Sequence, residues 1–122
     1  MSILVTDTGF APDDWRGPIL DLASDTDPDA LDGATDAALI RIAFPSSADG
    51  RGFTLARLLR LRGYRGRLRA AGHVLADQYA MARRAGFDEV EIPDDLAARQ
   101  PQAQWEFRAD WQAHDYQARL RG

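Results

Sequence analysis

Short apolar runs that end at proline or glycine recur through the middle of the chain. Residues 38–44 form such a run, which Pro45 ends, and this pattern predicts a central strand covered on both faces. A helix is expected over residues 54–62, because Thr54 can cap it and leucines recur on one face. Gly63 is expected to end this helix in the left-handed conformation.

The same order of elements occurs again further along the chain. Residues 66–71 predict a strand, residues 74–85 predict a helix that ends at glycine, and residues 89–92 predict the next strand. Tyr64 and Phe87 follow the two helix-ending glycines at equivalent places, 23 positions apart. Two strand–helix units in succession are typical of parallel strands joined by right-handed crossovers.

The N-terminal part of the chain adds further predicted elements. Residues 18–23 form another apolar strand, and Asp27 followed by proline is expected to open a short helix through Leu31. A hairpin is expected within residues 1–17, with its turn near Thr8. The N-terminal part therefore adds one more strand to the parallel series and a separate hairpin.

The C-terminal part, residues 94–122, is expected to contribute a helix over residues 94–99 and then a strand. Apolar and polar residues alternate over residues 107–113, as in a half-exposed strand. No linker of low complexity interrupts the series. The chain is therefore predicted to form a single α/β domain over residues 1–122, with a mainly parallel sheet of four to five strands.

The length of the chain narrows this fold further. A complete eight-stranded β/α barrel usually needs about 250 residues, whereas this chain has 122. The predicted units are therefore similar to half of a β/α barrel. A complete barrel is closed, whereas half of one is open. We therefore expect two copies of the chain to associate as a homodimer.

Charge is unevenly distributed along the chain, although the formal net charge is only −4. Residues 1–40 contain nine aspartates and one arginine, whereas residues 41–84 contain ten arginines and two aspartates. Six of these arginines fall on the first predicted helix, its exit and the next strand: Arg57, Arg60, Arg62, Arg65, Arg67 and Arg69. The acidic balance and the lack of interleaved aromatic residues argue against nucleic acid. A solvated helix face paired with the acidic segments is expected, and docking to a second subunit or an acidic partner is the alternative.

Several kinds of chemistry are excluded by composition and motifs. Cysteine is absent, which excludes disulfides, thiolate nucleophiles and iron–sulfur clusters held by the protein. No motif for NAD, FAD or ATP is present, and the two histidines lack the spacing of metal ligands, so no metal site is expected. The apolar runs are too short for a membrane helix, and the start lacks the basic region of a signal peptide, so a cytoplasmic location is expected.

The loop after the central strand is the first candidate site, because ligands bind beyond the carboxyl ends of parallel strands. Gly50, Arg51 and Gly52 stand there beside a predicted helix start at Thr54. Free backbone N–H groups and the helix dipole favour an anion at such a place. The alternative is a tight turn in which the glycines permit positive φ and Asp49 bonds its own backbone.

The loop after the next strand is the second candidate site. His73 and Asp77 are four residues apart and could share a face at the mouth of the sheet. A histidine oriented by a carboxylate could serve as an acid or base near neutral pH. The alternative is that Asp77 caps the following helix, where the dipole favours a carboxylate.

Four motifs follow one another over about residues 38–92. They are Phe44-Pro45, the run DGRGFTLARLLR from Asp49 to Arg60, the run GHVLADQ from Gly72 to Gln78, and Gly86-Phe87-Asp88. In this order they resemble the bacterial family called domain of unknown function 934. The N-terminal part of this chain is shorter than in typical members.

Members of this family are labelled as predicted oxidoreductases of sulfite reduction. The resemblance therefore implies a setting beside assimilatory sulfite reductase. Members often have cysteine immediately before the Gly-Phe-Asp motif, where this chain has Ala85, so no thiol-dependent redox role is expected here. Carried over position by position, the polar motif residues are Asp49, Arg51, Arg57, Asp77 and Gln78.

The leading functional hypothesis is an accessory protein of assimilatory sulfite reduction, without a redox centre of its own. It would bind a small oxyanion or dock on the reductase. Arg51 and the backbone of Gly50 and Gly52 would hold the anion, and Asp49 and Gln78 would orient Arg51.

Two alternatives belong to other classes of protein. One is an enzyme in which His73, supported by Asp77, performs acid–base or redox chemistry on a small anionic substrate or with a borrowed cofactor. The other is an assembly scaffold whose loops matter only for assembly. Loss of turnover on replacing His73 would identify an enzyme. Loss of assembly on replacing Arg60 and Arg67 by glutamate would identify a scaffold.

Overall fold

The computed structural model describes residues 2–13, 15–46, 50–100 and 105, and in these residues six strands form one mixed sheet. In chain order the strands are β1 (Ser2–Thr6), β2 (Gly9–Ala11), β3 (Leu20–Leu22), β4 (Leu39–Phe44), β5 (Arg67–Gly72) and β6 (Glu89–Pro93). Their order across the sheet is β2-β1-β6-β5-β4-β3. Strands β3 to β6 are parallel to one another, while β1 runs antiparallel to both β6 and β2.

In the described part of the chain, α-helices and 3₁₀ helices connect or follow these strands. They are a 3₁₀ helix over Pro28–Ala34, α1 (Arg51–Leu61), a 3₁₀ turn over Ala76–Gln78, α2 (Tyr79–Ala85) and α3 (Asp94–Arg99). Within the described residues, no helix is long and apolar enough to cross a membrane.

The α/β class and the four predicted parallel strands are confirmed, and so is the N-terminal hairpin. The predicted count of four to five strands is wrong for the described residues. The hairpin adds two strands to the sheet, because β1 pairs along the free edge of β6 with Leu4 opposite Glu91. The strand predicted over residues 107–113 lies outside the described residues.

The helices begin at other residues than the sequence predicted. Helix α1 begins at Arg51 with Gly50 as its N-cap, three residues before the predicted start, so Thr54 lies inside the helix and does not cap it. The helix predicted over 74–85 begins at Ala76 as a 3₁₀ turn and continues as α2 from Tyr79. The Gln78 side-chain oxygen accepts the N–H of the N-cap residue Leu75 at 2.9 Å.

Both helix ends follow the repeated pattern that the sequence predicted. Gly63 and Gly86 have φ angles of 94° and 119°, which favour glycine. After them, the Tyr64 N–H donates to the Leu59 carbonyl and the Phe87 N–H to the Ala82 carbonyl, both at 3.0 Å. Tyr64 and Phe87 are both buried, so each helix end also closes over an aromatic side chain.

Arg60 joins the two helix ends to each other. Its Nε donates to the Gly86 carbonyl at 2.9 Å, and its Nη1 donates to the Tyr64 and Gly66 carbonyls at 3.0 and 2.9 Å. Its Nη2 forms an ion pair with Asp88 at 2.9 Å. Arg60 therefore bonds carbonyl groups of the segments that follow both helices and links these segments to each other.

The hydrophobic core lies between the helices and one face of the sheet. Alternate residues of each strand point to this face. The buried sheet residues are Val5, Ile40, Ile42, Phe44, Leu68, Ala70, Val90 and Ile92, and the main helical ones are Leu31, Leu55, Leu59, Tyr79, Ala82 and Leu96. One face of the parallel sheet thus carries the apolar packing.

The opposite face of the sheet carries an ionic network centred on Arg69, whose side chain is fully buried. Its Nε donates to Glu89 at 2.6 Å. Its Nη1 donates to Glu91 at 2.8 Å and to Asp13 at 3.0 Å. Burial favours a higher pKa for Asp13, but hydrogen bonds from Arg69 and from the Trp15 N–H hold that pKa below its ordinary value.

The expectation that the six clustered arginines form a solvated face is therefore wrong for three of them. Arg60 and Arg69 bond within the fold, and Arg67 pairs with Glu89 and lies over the Trp15 ring at 5.5 Å. A sequence pattern cannot show these partners, because they lie on other strands and loops. The remaining three arginines, Arg57, Arg62 and Arg65, are exposed, and Arg62 pairs with Asp32 of the acidic segment at 3.3 Å.

Candidate functional site

A pocket of about 450 Å³ lies at the carboxyl ends of the parallel strands. The loop after β4, the loop after β5 and helix α3, which follows β6 directly, all contribute to it. Its lining residues are Pro45, Ser46, His73, Leu75, Leu96, Arg99 and Gln100. The pocket is therefore at the place where parallel sheets commonly bind ligands.

Backbone geometry at Gly72 places His73 in this pocket. Gly72 has a φ of 119°, and a Cβ there would lie 2.5 Å from the Phe44 carbonyl oxygen. Only glycine allows this approach without strain. The His73 N–H then donates to the same Phe44 carbonyl at 2.9 Å, so the loop after β5 is fastened to the end of β4. The exposed imidazole consequently lies at the pocket.

Gln100 is held in place by contacts at both ends. Its side-chain oxygen accepts the Ala76 N–H at 2.7 Å, and its carbonyl oxygen accepts the Trp105 Nε1–H at 2.9 Å. Trp105 is itself buried, with its ring edge-on to Tyr79 at 6.1 Å. Since its oxygen is engaged, the Gln100 side chain offers mainly its NH₂ group to a ligand.

Arg99 supplies a full positive charge at the pocket. It lies in the last turn of α3, and its side chain is 68% exposed. It forms a long ion pair with Asp95 at 3.7 Å, which leaves room for a competing anion because exposed pairs of this kind contribute little. Arg99 and His73 together give the pocket two groups that suit a negatively charged ligand.

Arg51, the principal anion-binding residue in the sequence prediction, lies beside a different depression. Its Nη2 donates to the Ser24 hydroxyl at 3.3 Å, after the end of β3. Arg51 and Thr54 line a depression of about 290 Å³ together with Ser24 and neighbouring residues of that segment. The structure therefore places Arg51 and His73 at separate depressions.

The two glycines beside Arg51 differ in their surroundings. A Cβ at Gly52 would lie 2.5 Å from the Phe44 ring, so this glycine allows α1 to pack against β4. A Cβ at Gly50 would meet nothing within 4 Å. Asp49, which was expected to orient Arg51, lies outside the described residues.

The other predicted residues are distributed over further surfaces. Arg57 lines a third depression of about 210 Å³ with Met81 and Arg84. Gln78 caps the Leu75 N–H, and Asp77 is exposed in the 3₁₀ turn, outside the residues that line the His73 pocket. The anion-binding and catalytic roles of the predicted residues stay predictions.

Sequence reasoning missed Leu96, Arg99 and Gln100 as pocket residues. They lie on α3 and its exit, about 25 residues after His73 in the chain, and no spacing rule connects them. One feature of the sequence could have indicated them: a helix was predicted immediately after the strand over residues 89–92. Residues that follow parallel strands lie at the same edge of the sheet, where the strands have their carboxyl ends. Within the described residues, no group of three potential metal-binding side chains occurs.

Comparison with known protein families places most of the chain in a described family. The model of a family described as bacterial protein of unknown function, DUF934, matches residues 20–121. No curated protein and no solved structure matches significantly.

Proposed function

Because the chain belongs to the bacterial DUF934 family, described as having unknown function, we propose a function from its chemistry: it binds a small oxyanion at the strand-end pocket. In this proposal it acts as an accessory protein of assimilatory sulfite reduction, with no redox centre of its own. Docking on the reductase, a cytoplasmic location, a homodimer and the likeness to half a β/α barrel stay predictions.

The pocket beside His73 is the observation that carries this proposal. Arg99 supplies a charge, and Ser46, His73 and Gln100 supply groups that can donate hydrogen bonds. Among the described residues that line the pocket, none carries a carboxylate. Such a lining favours an anion over a cation or a metal ion.

The backbone N–H groups that start the 3₁₀ turn beside the pocket already form hydrogen bonds within the protein. The Leu75 N–H and the Ala76 N–H bond the side-chain oxygens of Gln78 and Gln100. An anion would therefore be held by side chains and not by a cradle of backbone amides, which is the usual support of nucleotide phosphates.

A second candidate function is acid–base catalysis at the same pocket, favoured by the exposed imidazole of His73. In that case His73→Gln leaves ligand binding largely intact and abolishes turnover. A binding protein has no turnover to lose, so assay of product formation on the bound anion separates the two functions.

The proposed binding can be tested by thermal unfolding with sulfite, sulfate and phosphate. A ligand near 100 times its dissociation constant stabilises the fold by about 2.7 kcal/mol, which raises the midpoint of a domain of this size by several degrees. We expect one of these anions to give such a shift, and we expect Arg99→Ala to remove most of it. Arg65→Ala is the matched control and retains the shift, because Arg65 is exposed and precedes the start of β5, whereas the pocket lies at the carboxyl end of that strand.

The variant Arg51→Ala shows whether the anion binds in the pocket or at the start of α1, where the sequence predicted it. If Arg51→Ala removes the shift while Arg99→Ala retains it, the anion binds at the start of α1 and the pocket assignment is wrong. If none of the three anions stabilises the unmodified protein, binding of an inorganic oxyanion is wrong.

A further inference from the structure

We infer that the anion bound at the strand-end pocket is organic: a small sulfonate or carboxylate with an apolar substituent. This inference rests on the proposed function and specifies its ligand class. It follows from the size of the pocket, from the composition of its lining and from its charge.

The pocket is much larger than an inorganic oxyanion. Its volume is about 450 Å³, whereas one water molecule occupies about 30 Å³ in the liquid. An ion with four or five heavy atoms fills a small part of such a space. Pockets for small organic ligands commonly have about 300–1,000 Å³, and this pocket falls within that range.

The lining divides into a polar and an apolar set of residues. Ser46, His73, Arg99 and Gln100 are polar, whereas Pro45, Leu75 and Leu96 are apolar. Leu96 is anchored in the hydrophobic core, and Leu75 packs against it. An inorganic ion leaves the exposed parts of Pro45 and Leu75 in contact with water, while an apolar substituent buries them.

The charge of the lining favours a ligand with a single negative charge. Arg99 is the one arginine among the lining residues that the structure describes, and Asp95 balances part of its charge at 3.7 Å. A dianion would therefore lack a second fixed positive charge. Sulfonates and carboxylates carry one charge and accept several hydrogen bonds, which the Ser46, His73 and Gln100 side chains can donate.

A homologous series of ligands tests this inference. Isothermal titration of the full chain with methane-, ethane-, propane- and butanesulfonate measures affinity against apolar length at constant charge, and titration with sulfite provides the inorganic reference. We expect the dissociation constant to fall about fourfold for each methylene that is buried, and sulfite to bind more weakly than propanesulfonate. The alkanecarboxylates of equal length, measured in parallel, show which of the two anionic groups the pocket prefers.

Two variants separate the apolar and the anionic contributions. Leu75→Ala is expected to reduce the gain per methylene and to leave methanesulfonate binding within about twofold. Arg99→Gln is expected to weaken all members of the series by a similar factor, whereas Arg65→Gln changes none of them. Circular dichroism of each variant establishes that it is folded before titration.

The result with the unmodified protein alone can overturn the inference. If sulfite binds and the affinity does not rise with chain length, the ligand is inorganic, and the proposed oxyanion binding stands without the inference. If neither sulfite nor any sulfonate or carboxylate binds, both are wrong.

Discussion

Gly52 shows how one residue of the family motif serves packing. The Phe44 ring occupies the place where a side chain at residue 52 would begin, and it contacts Phe53 and Phe87 with ring centroids at 5.0 and 5.8 Å. Because these rings form a buried cluster, Phe44 cannot move away without disturbing its neighbours. The glycine that was expected to bind an anion through its backbone is therefore required by the core.

Gly52→Ala is expected to lower the free energy of unfolding by about 1–3 kcal/mol, the usual range for overpacking a core. Gly50→Ala is the matched control, since its new methyl group meets nothing within 4 Å. We expect that variant to change stability by less than about 0.5 kcal/mol. Urea unfolding of both proteins measures the difference, and equal midpoints would contradict the packing role.

At the scale of elements, the two helix ends are built alike and are linked by Arg60. The residues after each helix turn back through a glycine with positive φ, and an aromatic residue follows. The copies differ in their surroundings, however. A Cβ at Gly63 meets nothing within 4 Å, whereas a Cβ at Gly86 would lie 2.5 Å from the Arg60 Cγ.

Alanine substitution at the two glycines is expected to show this difference. Gly63→Ala costs about 1–2 kcal/mol from the left-handed backbone alone. Gly86→Ala also displaces Arg60 and so weakens the hydrogen bonds that Arg60 forms. We therefore expect Gly86→Ala to lower the free energy of unfolding by at least about 1 kcal/mol more than Gly63→Ala does. Urea unfolding measures both, and a larger loss in Gly63→Ala would be inconsistent with the role given to Arg60.

At the scale of the whole molecule, the sheet separates an apolar face from an ionic face. Arg69 is fully buried on the ionic face and bonds Glu89, Glu91 and Asp13. Arg41 extends the network, because it pairs with Glu91 at 3.3 Å and with Asp21 of β3 at 2.6 Å. Residues from four strands and from the segment after β2 are thereby held together by charge.

Arg69→Met is expected to lower the free energy of unfolding by about 3–5 kcal/mol, because it leaves carboxylates without their buried partner. Arg65→Met, the same change at an exposed arginine, is expected to cost less than about 0.5 kcal/mol. Chemical unfolding monitored by circular dichroism compares the two. A loss of similar size in both variants would mean that the buried network does not stabilise the fold.

Local patterns were sufficient to predict the parallel strands, the hairpin and both helix ends. Apolar runs, glycines and prolines act on their own part of the backbone, so their effect can be read from neighbouring residues. The 23-residue offset between Tyr64 and Phe87 predicted two equivalent helix ends, and both ends have the same hydrogen bonds. The place of His73 at the end of a parallel strand was predicted for the same reason.

The partners of each polar side chain depend on the folded chain and could not be predicted in this way. The spacing of the arginines does not show whether Arg69 is exposed or buried. Its carboxylate partners Glu89, Glu91 and Asp13 lie 20, 22 and 56 residues away in the sequence. Packing of α3 likewise brings Arg99 and Gln100 to His73 and leaves Arg51 beside Ser24. Backbone conformation is governed by near neighbours in sequence, whereas charge pairing and pocket shape follow from distances that only folding establishes.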